Sequence, residues 1–130
     1  MADQGFNKAG STGIPHLINA MRFSSQGLKS AFIKESAFRQ ELMMLLLVLP
    51  SGAYFARSLG LFIALCCAGL FLLTIELLNS AIESTVDRVG LEQHELSKRA
   101  KDYGSAAVML SLFIVALVWG YILYTGMMTA

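Results

Sequence analysis

Apolar and polar positions along this chain come in long blocks, and the blocks predict helices rather than strands. From Ile14 to about Lys34, Ile14, Leu17, Ile18, Met21, Leu28, Ala31 and Phe32 recur at helical spacing, with His16, Asn19, Arg22, Ser24, Gln26, Lys29 and Lys34 between them. That stripe predicts an amphipathic helix with a basic opposite face, and Pro15 suits its first turn. The segment is too polar to cross a bilayer, so the expectation for 14–34 is a helix lying in the membrane interface. Leu42–Ala56 is apolar but short of the roughly 20 residues a span requires. Starting near Ser36, with Arg39 and Glu41 at the interface, lengthens it to about 36–56, and Pro50 and Gly52 should kink or end it. Leu59–Leu78 is a full-length span interrupted only by Glu76, its helix expected to reach about residue 86. Ser105–Met128 is the third apolar stretch, within a helix expected at about 103–128. Trp119, Tyr121 and Tyr124 gather toward one end, as in an interfacial aromatic belt.

The expected fold is therefore an all-α membrane protein, with an interfacial helix followed by three transmembrane helices. Residues 14–130 form one membrane-embedded domain behind a polar, Gly/Ser-rich tail at 1–13. The tail shows no apolar core of a signal peptide. Its Gly5-to-Thr12 stretch has the glycine spacing of a phosphate loop but lacks the lysine after the second glycine, and no apolar strand precedes it.

Composition sharpens this picture. Among 130 residues, 55% are hydrophobic and 15% charged, which departs from an ordinary soluble domain. A net charge of +1 argues against a nucleic-acid partner. Cys66 and Cys67 are adjacent inside an apolar run, a placement that suits neither a disulfide framework nor a metal site. Of the ten basic residues, five (Lys8, Arg22, Lys29, Lys34, Arg39) precede the first apolar run and four (Arg88, Lys98, Arg99, Lys101) lie between the second and third. Only Arg57 lies between the first and second. The positive-inside rule then puts the N-terminus and the loop near 87–102 in the cytoplasm.

Glu76, Asn79, Glu83 and Asp87 fall at i, i+3, i+7 and i+11, a single helix face that starts inside the apolar run and ends outside it. A carboxylate within a membrane helix is costly and usually functional. Glu76 and Glu83 are about 10 Å apart along the axis, too far to share a proton but suited to separate tasks. The buried one fits a general base, and the one nearer water fits a hard cation such as Mg²⁺. A single carboxylate rarely makes a Mg²⁺ site, and Glu35 and Glu41 are the candidates to face Glu83 at similar depth. Lys101 suits a phosphate, and Glu92 to His94 would suit a weak metal site, although no spacing there requires one.

These residues also carry a resemblance. Glu-Ser-Ala-Phe-Arg-Gln-Glu at 35–41, Glu-Leu-Leu-Asn-Ser-Ala-Ile-Glu at 76–83 and Val-Asp-Arg-Val-Gly at 86–90 are followed by His-Glu-Leu-Ser-Lys-Arg-Ala-Lys-Asp-Tyr-Gly-Ser-Ala-Ala-Val at 94–108. In that order and at those spacings, the chain from about His16 to the third span resembles the small prokaryotic diacylglycerol kinases. The resemblance implies an ATP-dependent lipid kinase of the inner (cytoplasmic) membrane, working as a homotrimer with ATP and diacylglycerol as substrates and Mg²⁺ as cofactor. It implies that Glu76 is the base for the lipid's primary hydroxyl, that Asn79 orients that hydroxyl, and that Glu35 and Glu83 hold the metal. Nucleotide contacts would come from His16, Phe23, Glu35, Glu83, Glu92, Gln93, His94, Lys101 and Asp102. The lipid would be received by His16, Phe23, Ser24, Ser25, Ala37, Phe38, Arg39, Gln40, Glu41, Glu76, Ser105 and Trp119. The chain departs from many relatives in carrying histidine at 16 where they carry arginine, and Ser25-Gln26 where the enteric form has a bulkier, basic pair.

Two other readings remain open on sequence. One is the same fold acting on a polyprenol such as undecaprenol, although Glu92-Gln-His-Glu-Leu-Ser-Lys looks more like the Gram-negative, diacylglycerol-acting branch. The other is a small transporter or channel subunit with Glu76 as its intramembrane ion site.

Overall fold

The structure is a computed structural model that describes residues 13–128, and every regular element among them is an α-helix. The phosphate-loop-like stretch and most of the polar tail lie outside the described residues. Gly13, at φ 77°, occupies the left-handed region that favours glycine, and its carbonyl accepts the first bond of α1 from Leu17 N at 3.2 Å. Helix α1 runs Ile14–Lys34 and belongs to a compact unit of its own. The second unit starts at Glu35 and contains α2 (Ser36–Phe55), α3 (Leu59–Val89) and α4 (Glu95–Met127).

Side-chain caps mark where the longer helices begin. Ser58 Oγ accepts from Leu61 N at 3.2 Å to start α3. His94 Nδ1 accepts from Leu96 N at 3.1 Å to start α4, with Glu95 in the first turn complementing the helix dipole. α2 does not stop at Pro50 but continues to Phe55. Proline removes one backbone donor without preventing the turns on either side from closing. Ser51 Oγ donates to Val48 O at 2.9 Å and accepts from Trp119 Nε1 at 3.0 Å, tying that stretch of α2 to α4.

Contacts fix the directions of the three helices. Gly52 packs on Leu65 and Gly69 on Leu45, so α2 and α3 are antiparallel. Gly126 packs on Phe55, so α4 returns parallel to α2. The core is Leu45, Val48, Leu65, Ala68, Leu72, Val115 and Ile122. On α3 the buried positions are 65, 68, 69, 72 and 76, and on α4 they are 104, 111, 115 and 122. That mixed three-and-four spacing is the ridge pattern of helices packed at a shallow angle. Facing glycines bring backbones close, the usual device where lipid supplies no hydrophobic drive between helices.

The outside of the bundle is apolar as well. Leu47 is 76% exposed, Leu70 66% and Leu117 73%. Water would penalise such a surface, whereas acyl chains would cover it. Hydroxyls are satisfied within their own helices, as when Thr74 Oγ1 donates to Leu70 O at 2.8 Å and Ser111 Oγ to Val108 O at 2.7 Å. Among the described residues two helices, α3 and α4, are long and apolar enough to cross a membrane. α2 falls short of that measure because Arg39, Gln40, Glu41, Pro50, Ser51 and Gly52 dilute its apolar run. α3 and α4 have 31 and 33 residues. Each is ~45–50 Å long, some 15 Å or more beyond the hydrocarbon thickness. Their charged ends, after Asn79 and before Ser105, therefore continue the hairpin past the apolar layer.

A Cβ at Gly126 would lie 2.8 Å from the Phe55 carbonyl oxygen, which is backbone and cannot swing aside. Gly126→Ala should lower the thermal stability of the purified protein in detergent, by about 1–3 kcal/mol. Gly120→Ala, where nothing lies within 4 Å, should leave it unchanged or slightly raised.

Candidate active site

The start of α2, the second half of α3 and the start of α4 meet at one end of the bundle. They enclose a cavity of about 290 Å³ lined by Glu35, Ser36, Ala37, Glu41, Glu76, Asn79, Ser80, Glu83, Ser105 and Val108. Glu76 is 3% exposed and Glu41 8%, so two carboxylates are buried on facing helices. Glu35 is the single extended residue between α1 and α2, at φ −98° and ψ 111°, and its side chain does not cap α2. Its carboxylate is therefore not consumed by the helix start.

Asn79 sits at the narrowest point. Its Nδ2 donates to Glu83 Oε1 at 3.1 Å, one turn along α3. A Cβ at Gly104 would collide with Asn79 Oδ1, so the two helices approach this closely only because residue 104 is glycine. Asn79 Oδ1 and Glu41 Oε2 are buried without a hydrogen-bond partner among the described residues. Buried polar atoms are rarely left unpaired, and these two lie where a hydroxyl or another polar ligand group would satisfy them.

A second and larger cleft, about 680 Å³, lies between the charged ends of α3 and α4. Val86, Asp87, Gly90, Leu91, Glu92, Gln93, His94, Glu95, Ser97, Lys98 and Lys101 line it. Lys101 Nζ donates to Asp87 Oδ1 at 2.6 Å across the two helices. That bond raises the lysine pKa above its ordinary value, so Lys101 stays charged through neutral and mildly alkaline pH. Because His94 Nδ1 accepts the capping bond, the neutral ring carries its proton on Nε2.

The residues proposed from sequence separate into groups. Glu35, Ala37, Glu41, Glu76, Asn79, Glu83 and Ser105 share the smaller cavity. Glu92, Gln93, His94 and Lys101 share the larger cleft. Asp102 lines neither. It accepts from Lys98 Nζ at 2.6 Å along the exposed face of α4, and the bond raises the Lys98 pKa. Phe38, Arg39 and Gln40 are on the first turns of α2. Trp119 is bonded to Ser51 well away from the cavity, ~20 Å along α4 from Ser105. His16, Phe23, Ser24 and Ser25 are on α1, where Ser25 Oγ donates to Met21 O at 2.9 Å. Sequence reasoning assigned no task to Gly104, Ser80 or Asp87. Asp87 was visible as the last member of the polar stripe, whereas nothing local distinguishes Gly104.

Four carboxylates line the cavity, and the two half-buried ones, Glu35 and Glu83, are those that water or a divalent cation could reach. Among the described residues no three His, Cys, Asp or Glu side chains converge as a metal cage. Mg²⁺ is commonly bound through one or two carboxylates with substrate phosphates and water completing its shell, and Glu35 and Glu83 are the side chains here that would hold one.

A bundle of long apolar helices, apolar outside and carrying a carboxylate-lined cavity at one end, is a membrane protein with a buried polar site. The family model for prokaryotic diacylglycerol kinase matches residues 22–123. The chain is 48% identical over 113 residues to a diacylglycerol kinase of Haemophilus influenzae, covering 87% of this chain and 96% of that one. It is 45% identical over 117 residues to a diacylglycerol kinase of Pseudomonas aeruginosa (88% and 93% covered). For one of Escherichia coli K12 the identity is 40% over 114 residues, again with 88% and 93% covered. The chain belongs to the prokaryotic diacylglycerol kinase family, and it is an enzyme, a kinase.

Gly104→Ala tests the close approach of α3 and α4. Displacing Asn79 by even part of an ångström should lower kinase turnover on the order of tenfold or more. The fall in thermal stability should be the smaller effect, since alanine favours the helix.

Proposed function

We propose that this chain phosphorylates the primary hydroxyl of 1,2-diacylglycerol with ATP, giving phosphatidic acid at the membrane surface. The observation that carries this reading is the placement of Glu76. It is almost fully buried, yet it lines the same cavity as Glu35, Glu41, Asn79 and Glu83. A base for a lipid hydroxyl must be reachable from the bilayer and close to where phosphates are held. Glu76 takes the hydroxyl proton, the hydroxyl oxygen attacks the γ-phosphorus, and the bond to the bridging oxygen breaks to release ADP. Asn79, on the same face of α3 one turn from Glu76, orients the single free hydroxyl of the lipid, and Glu41 lines the same cavity. Glu35 and Glu83 hold Mg²⁺, which would offset the negative charge of the triphosphate. Lys101, Glu92, Gln93 and His94 receive the nucleotide from the larger cleft. Trp119, on a different level of the bundle, faces the acyl region of the lipid.

In this reading α2 also crosses the membrane, as the first of three spans along the chain, its Arg39 and Glu41 seated at the membrane boundary, and α1 lies in the interface. The N-terminus and the loop between α3 and α4 face the cytoplasm at the inner membrane. Three copies assemble into the active unit, because three helices alone leave the polar cavity thinly walled. His16 and Phe23 then serve both substrates, and Ser24 and Ser25 the lipid.

The test uses purified protein in mixed micelles with labelled ATP, Mg²⁺ and either diacylglycerol or undecaprenol. Phosphate should appear mainly on diacylglycerol. Strong preference for the polyprenol would reassign the substrate, and no transfer to either lipid would overturn the lipid-kinase reading.

The carboxylates should separate in their effects. Glu76→Gln should lower turnover by roughly 10²- to 10⁴-fold while Mg–ATP still binds. Glu83→Gln should weaken metal-dependent nucleotide binding. The reverse pattern in a binding titration paired with turnover would show that their roles are exchanged.

A further inference from the structure

Asp87 is the one member of the polar stripe on α3 for which the proposed reaction has no task. Its carboxylate accepts from Lys101 Nζ at 2.6 Å, a contact between helices 14 positions apart in sequence. Both residues line the larger cleft. Neither is shut away from water, with side-chain exposures of 39% for Lys101 and 53% for Asp87. Asp87 is one helical turn beyond Glu83, so the two carboxylates share the α3 face opposite Lys101. Glu83 lines the smaller cavity and Asp87, one turn on, the larger cleft, so consecutive turns of one α3 face carry a carboxylate into each.

A pair this open to solvent contributes little to folding, because water and salt screen it. Its geometric effect is larger. Lysine is a point charge on a flexible four-carbon stem, and holding that charge in one place costs side-chain entropy. In this arrangement the cost is met before any nucleotide arrives.

We propose that Asp87 is a positioning residue for phosphoryl transfer. By fixing Lys101 on the wall of the larger cleft, one turn of α3 from Glu83, it pre-organises the lysine for the ATP phosphates. This rests on the reading of Lys101 as a phosphate contact. Ammonium has three donors, so Lys101 can keep its bond to Asp87 while donating to a phosphate oxygen. The neighbouring pairs are different in kind. Lys98–Asp102 and Arg99–Glu95 each join residues four apart on α4, so they brace one helix and fix nothing across the cleft.

The test compares steady-state kinetics of purified Asp87→Asn, Asp87→Glu, Lys101→Gln and the double variant Asp87→Asn/Lys101→Gln, with Arg99→Gln as control. Asp87→Asn should raise the KM for Mg–ATP about tenfold with kcat within about twofold, and Asp87→Glu should recover most of the loss. The double variant should be no worse than Lys101→Gln alone, because Asp87 acts only through the lysine. Arg99→Gln should match the wild type, and all variants should melt at the same temperature. If Lys101→Gln leaves the KM unchanged, the phosphate-contact reading fails and takes this proposal with it. If Lys101→Gln raises the KM but Asp87→Asn does not, or lowers it, the proposal alone is overturned. Additive effects in the double variant overturn it as well.

Discussion

Asn79 on α3 and the bare α-carbon of Gly104 on α4 set the spacing of the two longest helices at the end where the carboxylates gather. The amide fills the space that any other residue at 104 would need, and the collision of a Cβ with Asn79 Oδ1 shows how little slack remains. That contact holds Asn79 so that Nδ2 meets Glu83 Oε1, and it keeps Ser105 on the wall of the cavity that contains Glu76. With α3 and α4 pushed apart, the cavity would open and Glu76 would lose the burial that separates it from an ordinary surface glutamate. Glycine contacts at Gly52, Gly69 and Gly126 maintain comparable closeness elsewhere in the bundle, so the polar end is continuous with a tightly packed apolar body.

Much of this architecture is legible in the order of residues. Blocks of apolar side chains predict the helices, and the face shared by Glu76, Asn79, Glu83 and Asp87 follows from helical spacing alone. The first three prove to line the smaller cavity and the fourth the larger cleft. Contacts between helices are less legible. Pro50 and Gly52 read as a kink or an end; α2 passes through both to Phe55 and is joined to α4 by a Trp119–Ser51 bond that no local pattern announces. Gly104 reads as one small residue among several, and its importance comes from the partner opposite it. The Asp87–Lys101 pair is invisible for the same reason, since periodicity reports a face but not what faces it. α2 is also more polar than the other two long helices, so its standing as a span depends on where Arg39 and Glu41 sit rather than on its average character.

Charge is distributed along the hairpin in a graded way. The carboxylates of Glu41 and Glu76 are buried, Glu35 and Glu83 are half-buried, and Asp87 is open and already paired. Each step outward meets more water, and the outermost carboxylate is the one paired with a cation. A bilayer protein that handles a charged, water-soluble substrate and a lipid together needs such a gradient. The groups that hold phosphates must stay ionised, whereas the group that takes a proton must be kept apart from bulk water.

At the opposite end, Arg57 Nε donates to the main-chain oxygen of Thr125 at 2.7 Å, joining the turn before α3 to the last turn of α4. The two residues are 68 apart, so during synthesis this bond is among the last that can form. Once α4 is in place, the carbonyl end of its dipole takes up the arginine's charge, so the last helix to be made latches the end of the bundle away from the carboxylates.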